Sequence, residues 1–254
     1  MSRPLTEFKS DRDNDVKDLY EKIYPNISIS GIRRIMTIVL GDSKKTFVVN
    51  GDQCINLKLG NAYDGIGSII NLNKLSEDSV KKIEELNLLI DYYSHTILNY
   101  SILPVTGGLN NIKWRLGSDR IDTFIFVLDQ YYKNINRAII LNSGSSNGDV
   151  GTRKKLESFL SSFGSVEEFV SFIYRLDPDD SKKFIKDSLG SGSEPILDIK
   201  GLCQYMELAV DFWELRLESM QKSGVLRLKS GKEKVEKDFE LLRDSIKKFT
   251  ISKN

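Results

Sequence analysis

Two periods of apolar residues run along the chain, and the change falls near Ser76. Before it, "IMTIVLGDSKKTFVVNGDQCINLKLG" is rich in β-branched residues. Gly41-Asp42 and Asn50-Gly51 tolerate the positive φ that tight hairpins need. Ile55, Leu57 and Leu59 alternate with Asn56 and Lys58, the period-two pattern of a half-buried strand. The pattern predicts a short helix around 14–23, strands near 34–40, 46–49 and 53–59, and an extended piece at 68–72.

From Ser76 the period becomes 3.6. Ile83, Leu86, Ile90, Tyr93, Ile97 and Tyr100 form one helical stripe, with Ser76 as cap and Glu77 and Asp78 at the positive end of the dipole. The expectation is a helix over 76–100, ending before Pro104. A second strong helix is capped by Ser118, and its inner face is Ile121, Phe124, Ile125, Leu128, Tyr131, Tyr132 and Ile135. These two helices are expected to pack through their apolar faces and form the centre of the molecule. Further helices are predicted over 152–162, from a Ser165–Glu168 capping box to before Asp177-Pro178, and near 180–188. "LGSGSEP" (189–195) reads as a flexible connector. Asp198 caps a long helix to about 221, with Leu202, Tyr205, Met206, Ala209, Phe212 and Trp213 inward. The last helix, near 232–249, is striped by Val235, Phe239, Leu242, Ile246 and Phe249, and its other face alternates Lys and Glu. The fold class is therefore α+β: a mostly helical body with a small antiparallel sheet near the N-terminus. Residues 1–14 are expected to be a frayed tail. Residues 15–254 form one domain, β-rich over 30–72 and helical over 76–250.

Composition narrows the chemistry. The 254 residues are 40% hydrophobic and 29% charged, with 37 basic against 36 acidic side chains. That balance gives no overall pull toward nucleic acid or an anionic membrane. No apolar run approaches the ~20 residues of a membrane span. The N-terminus lacks the apolar core of a signal peptide. Cys54 and Cys203 form no CxxC pair and are expected to be reduced, buried thiols of a cytoplasmic protein.

The most site-like stretch is "IILNSGSSNGDVGTRKKLESF" (139–159). A phosphate loop needs GxxxxGK[ST]. Asp149 stands where the second glycine belongs, and its charge repels phosphate. Ile135, Ile139 and Ile140 instead continue the register of the preceding helix, so the stretch reads as a joint between helices. With one histidine, His95, multi-histidine metal sites are impossible, and no metal or cofactor is predicted.

The densest polar constellation lies between the two strongest helices: Asn110, Asn111, Lys113, Arg115, Ser118, Asp119, Arg120 and Asp122. A loop entering a helix start with arginine and asparagine nearby suits carboxylate or phosphate. A local salt bridge between the arginines and aspartates fits the same residues. The candidate ligand-binding residues are Asn110, Arg115, Arg120 and Asp122; the candidate proton-moving groups are His95 and Asp119. His95 equally fits a partly buried histidine at a helix end, donating one hydrogen bond.

"HTILNYSILP" (95–104), the asparagines at 110–111, "SDRIDTFIFVLDQYY" (118–132), "LESFLSSFGSVEEFVSFIYRLD" (156–177) and "YMELAVDFWELR" (205–216) together resemble a family of uncharacterised bacterial proteins. Its members read H-T-I-G-x5-P, then Asn, then Arg-Gly and D-R-x-D before a helix ending Y-Y. Here Leu98 replaces the glycine and Leu116 separates Arg115 from Gly117. The resemblance implies a bacterial, intracellular protein with this helical layout, and no known functional residue. The expected role is a binding or protein-interaction module, with a partner or second copy docking on the C-terminal helix. The alternative is an enzyme or sensor for a small anionic ligand, a nucleotide or phosphorylated metabolite, at the polar loop 105–122.

Overall fold

The computed structural model describes residues 5, 20–24, 27–30, 33–40, 43–55, 69, 76–104, 109, 116, 120–143, 150–228 and 231–251. Four antiparallel strands form one sheet in chain order: β1 (Ile27–Ser30), β2 (Arg33–Leu40), β3 (Ser43–Gln53) and β4 (Tyr100–Pro104). Around it stand α1 (Glu77–Ser94), α2 (Ile121–Tyr132), α3 (Arg137–Ser143), α4 (Val150–Leu160), α5 (Val166–Tyr174), α6 (Pro178–Ser191), α7 (Ile199–Lys222) and α8 (Lys232–Ile251). The fold is α+β and mostly helical, as the two periods predict. No described helix is long and apolar enough to cross a membrane.

The sheet corrects the reading of Asn50-Gly51 as a turn. Both lie inside β3, where Asn50 pairs with Leu103 and Gly51 with Ile102. Gly51 is buried there, in mid-strand rather than at a chain reversal. The first part of β3, Ser43–Val49, pairs with β2, and its last part, Val49–Gln53, pairs with β4. The predicted strand at 53–59 therefore belongs, as far as Gln53, to the end of β3; residues 56–59 lie outside the described residues.

The helix expected over 76–100 stops at Ser94. The cause is Asn99, whose side-chain Nδ2 donates to the carbonyl of Ser94 at 3.1 Å and holds Ile97–Asn99 in a 3-10 turn. The chain then enters β4, all of whose residues are buried. The helical stripe thus ran on by coincidence through Ile97 and Tyr100, both buried in another conformation.

The central packing also differs from two helices meeting face to face. Among the described residues α1 packs chiefly on α8, and α2 on α6 and α3. Tyr93 on α1 lies against Trp213 on α7 and Phe239 on α8. Phe124, Phe159, Phe163 and Phe169 join α2, α4 and α5 by edge-on contacts. This geometry suits the ring quadrupoles.

Caps fix the helix starts. Ser165 Oγ accepts from Glu168 N–H, while Glu168 reaches back to Gly164 N–H at 2.7 Å, one residue earlier than a capping box requires. Asp198 accepts from Gly201 N–H at 2.7 Å. Helix α2 ends at Tyr132, and Asn134 takes a left-handed φ of 58°. The break turns Ile135 out to solvent and starts α3 separately, so Ile139 and Ile140 do not extend the earlier helix. Helix α6 runs through Gly190 to Ser191, into the expected connector. A Cβ on Gly192 would stand 2.3 Å from the Asp122 carbonyl oxygen, so glycine lets the end of α6 touch α2. At the N-terminus, Leu5 is buried and exchanges two 3.0 Å hydrogen bonds with the Tyr92 hydroxyl. The expected frayed tail is therefore tied down at that residue.

Candidate functional site

Three of the residues singled out for ligand or proton chemistry, Asn110, Arg115 and Asp119, lie outside the described residues, as do Asn111, Lys113 and Ser118. Arg120 and Asp122 are brought together, with both side chains wholly buried. Arg120 Nε and Nη2 donate to the two Asp122 oxygens at 3.0 and 2.6 Å. Nη1 donates to the Glu194 carbonyl at 2.8 Å and Nη2 also to the Ser191 carbonyl at 2.9 Å. Asp122 accepts further from Ser191 Oγ at 2.8 Å and Thr123 N–H at 2.9 Å. The guanidinium lies 5.3 Å from the ring centre of Tyr205, whose hydroxyl accepts from Ile121 N–H. A bidentate, charge-assisted pair of this kind orients both partners. Here it joins the start of α2 to the end of α6.

His95 stands in the turn after α1 rather than on the helix. Its Nδ1 lies 2.8 Å from the main-chain oxygen of Asp91, which can only accept, so Nδ1 carries the hydrogen. The Asp91 carboxylate is 3.5 Å away. His95 and Arg120 are thus held by different partners on different elements.

A second buried polar centre lies where β3, β4, the 3-10 turn and α7 meet. Asn99 uses its whole side-chain amide. Oδ1 accepts from Ile55 N–H and Trp213 Nε1–H, each at 3.1 Å, and Nδ2 donates to the carbonyls of Ile55 and Ser94. The Asn99 carbonyl also accepts from Cys54 N–H at 2.7 Å. Beside it Arg216, wholly buried, donates from Nη1 to the Leu98 carbonyl at 3.0 Å and from Nη2 to the Tyr100 carbonyl at 2.8 Å. Nη1 is also 3.6 Å from Cys54 Sγ. Unlike Arg120, Arg216 has no carboxylate within 4 Å among the described residues.

Tyr24 and Tyr174 border this centre, and burial pushes both phenols well above the ordinary tyrosine value. The Tyr174 hydroxyl, Ser101 Oγ and Arg216 Nε are buried with no hydrogen-bond partner among the described residues. Sequence reasoning missed this centre, although a signal was present. Arg216 continues the apolar stripe of α7, three and four residues beyond Trp213 and Phe212.

An open groove of about 280 Å³ runs between α7 and α8, lined by Lys200, Cys203, Gln204, Glu207, Lys247 and Thr250. Cys203 forms its buried floor. Burial raises that thiol's pKa, and a hydrogen bond from Thr250 opposes the rise. Lys200 and Lys247 project from different helices, and neither has a carboxylate within 4 Å among the described residues. Glu207 sits at the same opening.

The apolar stripe expected to dock a partner is already covered. Val235, Phe239, Leu242, Ile246 and Phe249 are buried against α7 and α1. Arg243 further ties α8 to Asp211 and Glu214 of α7. No cluster of metal-ligating side chains occurs among the described residues. No family model, curated protein or solved structure matches the chain, so the resemblance over residues 95–216 stands on its motifs alone.

Proposed function

We propose that the protein is a binding module for a small anionic ligand, seated in the groove between α7 and α8. The observation that carries this reading is the pair of ammonium groups, Lys200 and Lys247, brought to one opening without a carboxylate partner among the described residues. Gln204 adds a neutral donor beside them. The opening of α7 adds the positive end of its dipole near Lys200. Glu207 gives the groove a second, acceptor end, which suits a carboxylate or phosphate carrying a hydroxyl or amine behind it. The buried state of both cysteines supports residence in a reducing compartment such as the cytoplasm.

Thermal unfolding with inorganic phosphate, a tricarboxylate and a nucleoside monophosphate is the direct test. At least one anion should raise the melting temperature of the wild type. The double variant Lys200→Ala/Lys247→Ala should melt at the wild-type temperature without ligand and lose that response. An equal response in both proteins, or none in the wild type, would reject the groove as the site.

A further inference from the structure

We infer that Leu5 is a strap whose seat on Tyr92 controls how firmly α8 is docked, and with it the groove wall that α8 provides. Leu5 N–H donates to the Tyr92 hydroxyl, and that hydroxyl donates to the Leu5 carbonyl, each at 3.0 Å. One rotatable hydroxyl thus serves both main-chain groups of a single residue, 87 positions away in sequence. The two bonds therefore form and break together. Leu5 and Tyr92 are both buried while the seat is filled. Leaving it exposes the leucine side chain and strips the hydroxyl of both partners, so the strap has two discrete states with the seated one favoured.

The next residue carries the state of the seat to α8. The Tyr92 ring stands edge-on to the Tyr93 ring, with centres 4.8 Å apart. Tyr93 packs in turn on Phe239 of α8 at 4.8 Å, and its hydroxyl donates to Asp238 of α8 at 2.9 Å. Tyr93 therefore joins α1 to α8 by a ring contact and a hydrogen bond, and Tyr92 packs against that same ring. The ion pairs that tie α8 to α7, from Arg243 to Asp211 and Glu214, are part-exposed, and solvent screens such pairs. When Leu5 leaves, Tyr92 loses its anchor and the Tyr93 ring loses a fixed neighbour, which loosens α8 where it meets α1. Lys247 and Thr250 of the groove sit on that helix. The consequence for a ligand rests on reading the groove as an anion site; the docking of α8 does not.

Hydrogen–deuterium exchange on the full chain reads the strap without any ligand, so its outcome is separate from that of the anion test. Leu5→Asp places a carboxylate in the apolar seat. Tyr92→Phe keeps the ring against Tyr93 and removes both hydrogen bonds to Leu5. In each variant the amides of α1 and α8 should exchange about tenfold faster than in the wild type, or more, while those of α2, α5 and α6 keep their wild-type rates. If Leu5→Asp does not fold, Tyr92→Phe decides alone. Unchanged α8 rates in either folded variant, including the case where α1 alone accelerates, overturn the proposal, because the seat would then be uncoupled from α8. Equal acceleration in every helix overturns it as well, since Leu5 would then add only to global stability.

Discussion

Arg120 and Arg216 are both completely buried, yet they are neutralised in opposite ways. Arg120 meets a carboxylate two residues along the chain, oxygen for nitrogen, and backbone carbonyls take up its other donors. Arg216 meets carbonyl oxygens and a thiol, with no carboxylate within 4 Å among the described residues. The first arrangement is complete in itself and serves as a joint between α2 and α6. The second leaves Nε, the Tyr174 hydroxyl and Ser101 Oγ without hydrogen bonds among the described residues. Unpaired buried polar atoms are costly, so the second arginine is held by a less complete set of partners than the first.

Substitutions at the two arginine centres sharpen this contrast. Asp122→Ala should have the largest effect, because it strands Arg120 as a buried charge. A loss of about 3–5 kcal/mol is expected in urea unfolding. Replacing both partners, Arg120→Met with Asp122→Leu, should recover much of that loss. If the single variant costs no more than a surface change, the pair is not the joint described here.

Arg216→Met should cost less, about 1–2 kcal/mol, since it leaves the Leu98 and Tyr100 carbonyls short of a donor but also removes a buried charge. A loss equal to that of Asp122→Ala would mean that the two centres are energetically alike.

Tyr174→Phe should have the smallest effect at neutral pH, within about 1 kcal/mol, because the deleted hydroxyl has no hydrogen-bond partner among the described residues. Its signature lies in alkali. Burial, first among the causes, holds the Tyr174 phenol above its ordinary value in the folded chain. The unfolded chain therefore loses the proton first. The stabilisation is full below the ordinary tyrosine value of about 10 and is lost as pH rises past it. Tyr24, Tyr93 and Tyr132 act in the same direction. Melting temperatures should fall steeply from pH 9 to 11, and the fall should be shallower in Tyr174→Phe. An identical fall in both proteins would show that this phenol ionises freely in the native state.

Much of the helical body was legible because periodicity and caps are local properties. The stripes of α7 and α8 and the caps at Ser165 and Asp198 all appear where the pattern puts them. The errors arose where a distant partner overrides local preference. Asn50-Gly51 has the chemistry of a turn, but β4, about fifty residues later, recruits it into a strand. Ile97 and Tyr100 keep the helical rhythm, but Asn99 is claimed by Ile55 and Trp213. Leu5 looks like part of a polar tail until Tyr92 binds it. The Arg120–Asp122 pair could be anticipated, since its residues are neighbours. The Arg216 centre could be suspected only from a charge standing in an apolar stripe, because its hydrogen-bond partners come from two distant stretches of chain, at Cys54 and at Leu98–Tyr100.

The spacing of those partners sets an order of assembly. Arg216 reaches Cys54 across 162 residues of sequence. During synthesis, β1, β2 and β3 can pair as soon as they leave the ribosome, whereas the guanidinium is made much later. Until then, Cys54 and the carbonyls at 98 and 100 wait without it. Chains that stop short of Arg216 should therefore carry an ill-packed middle, and quality control would find them there first.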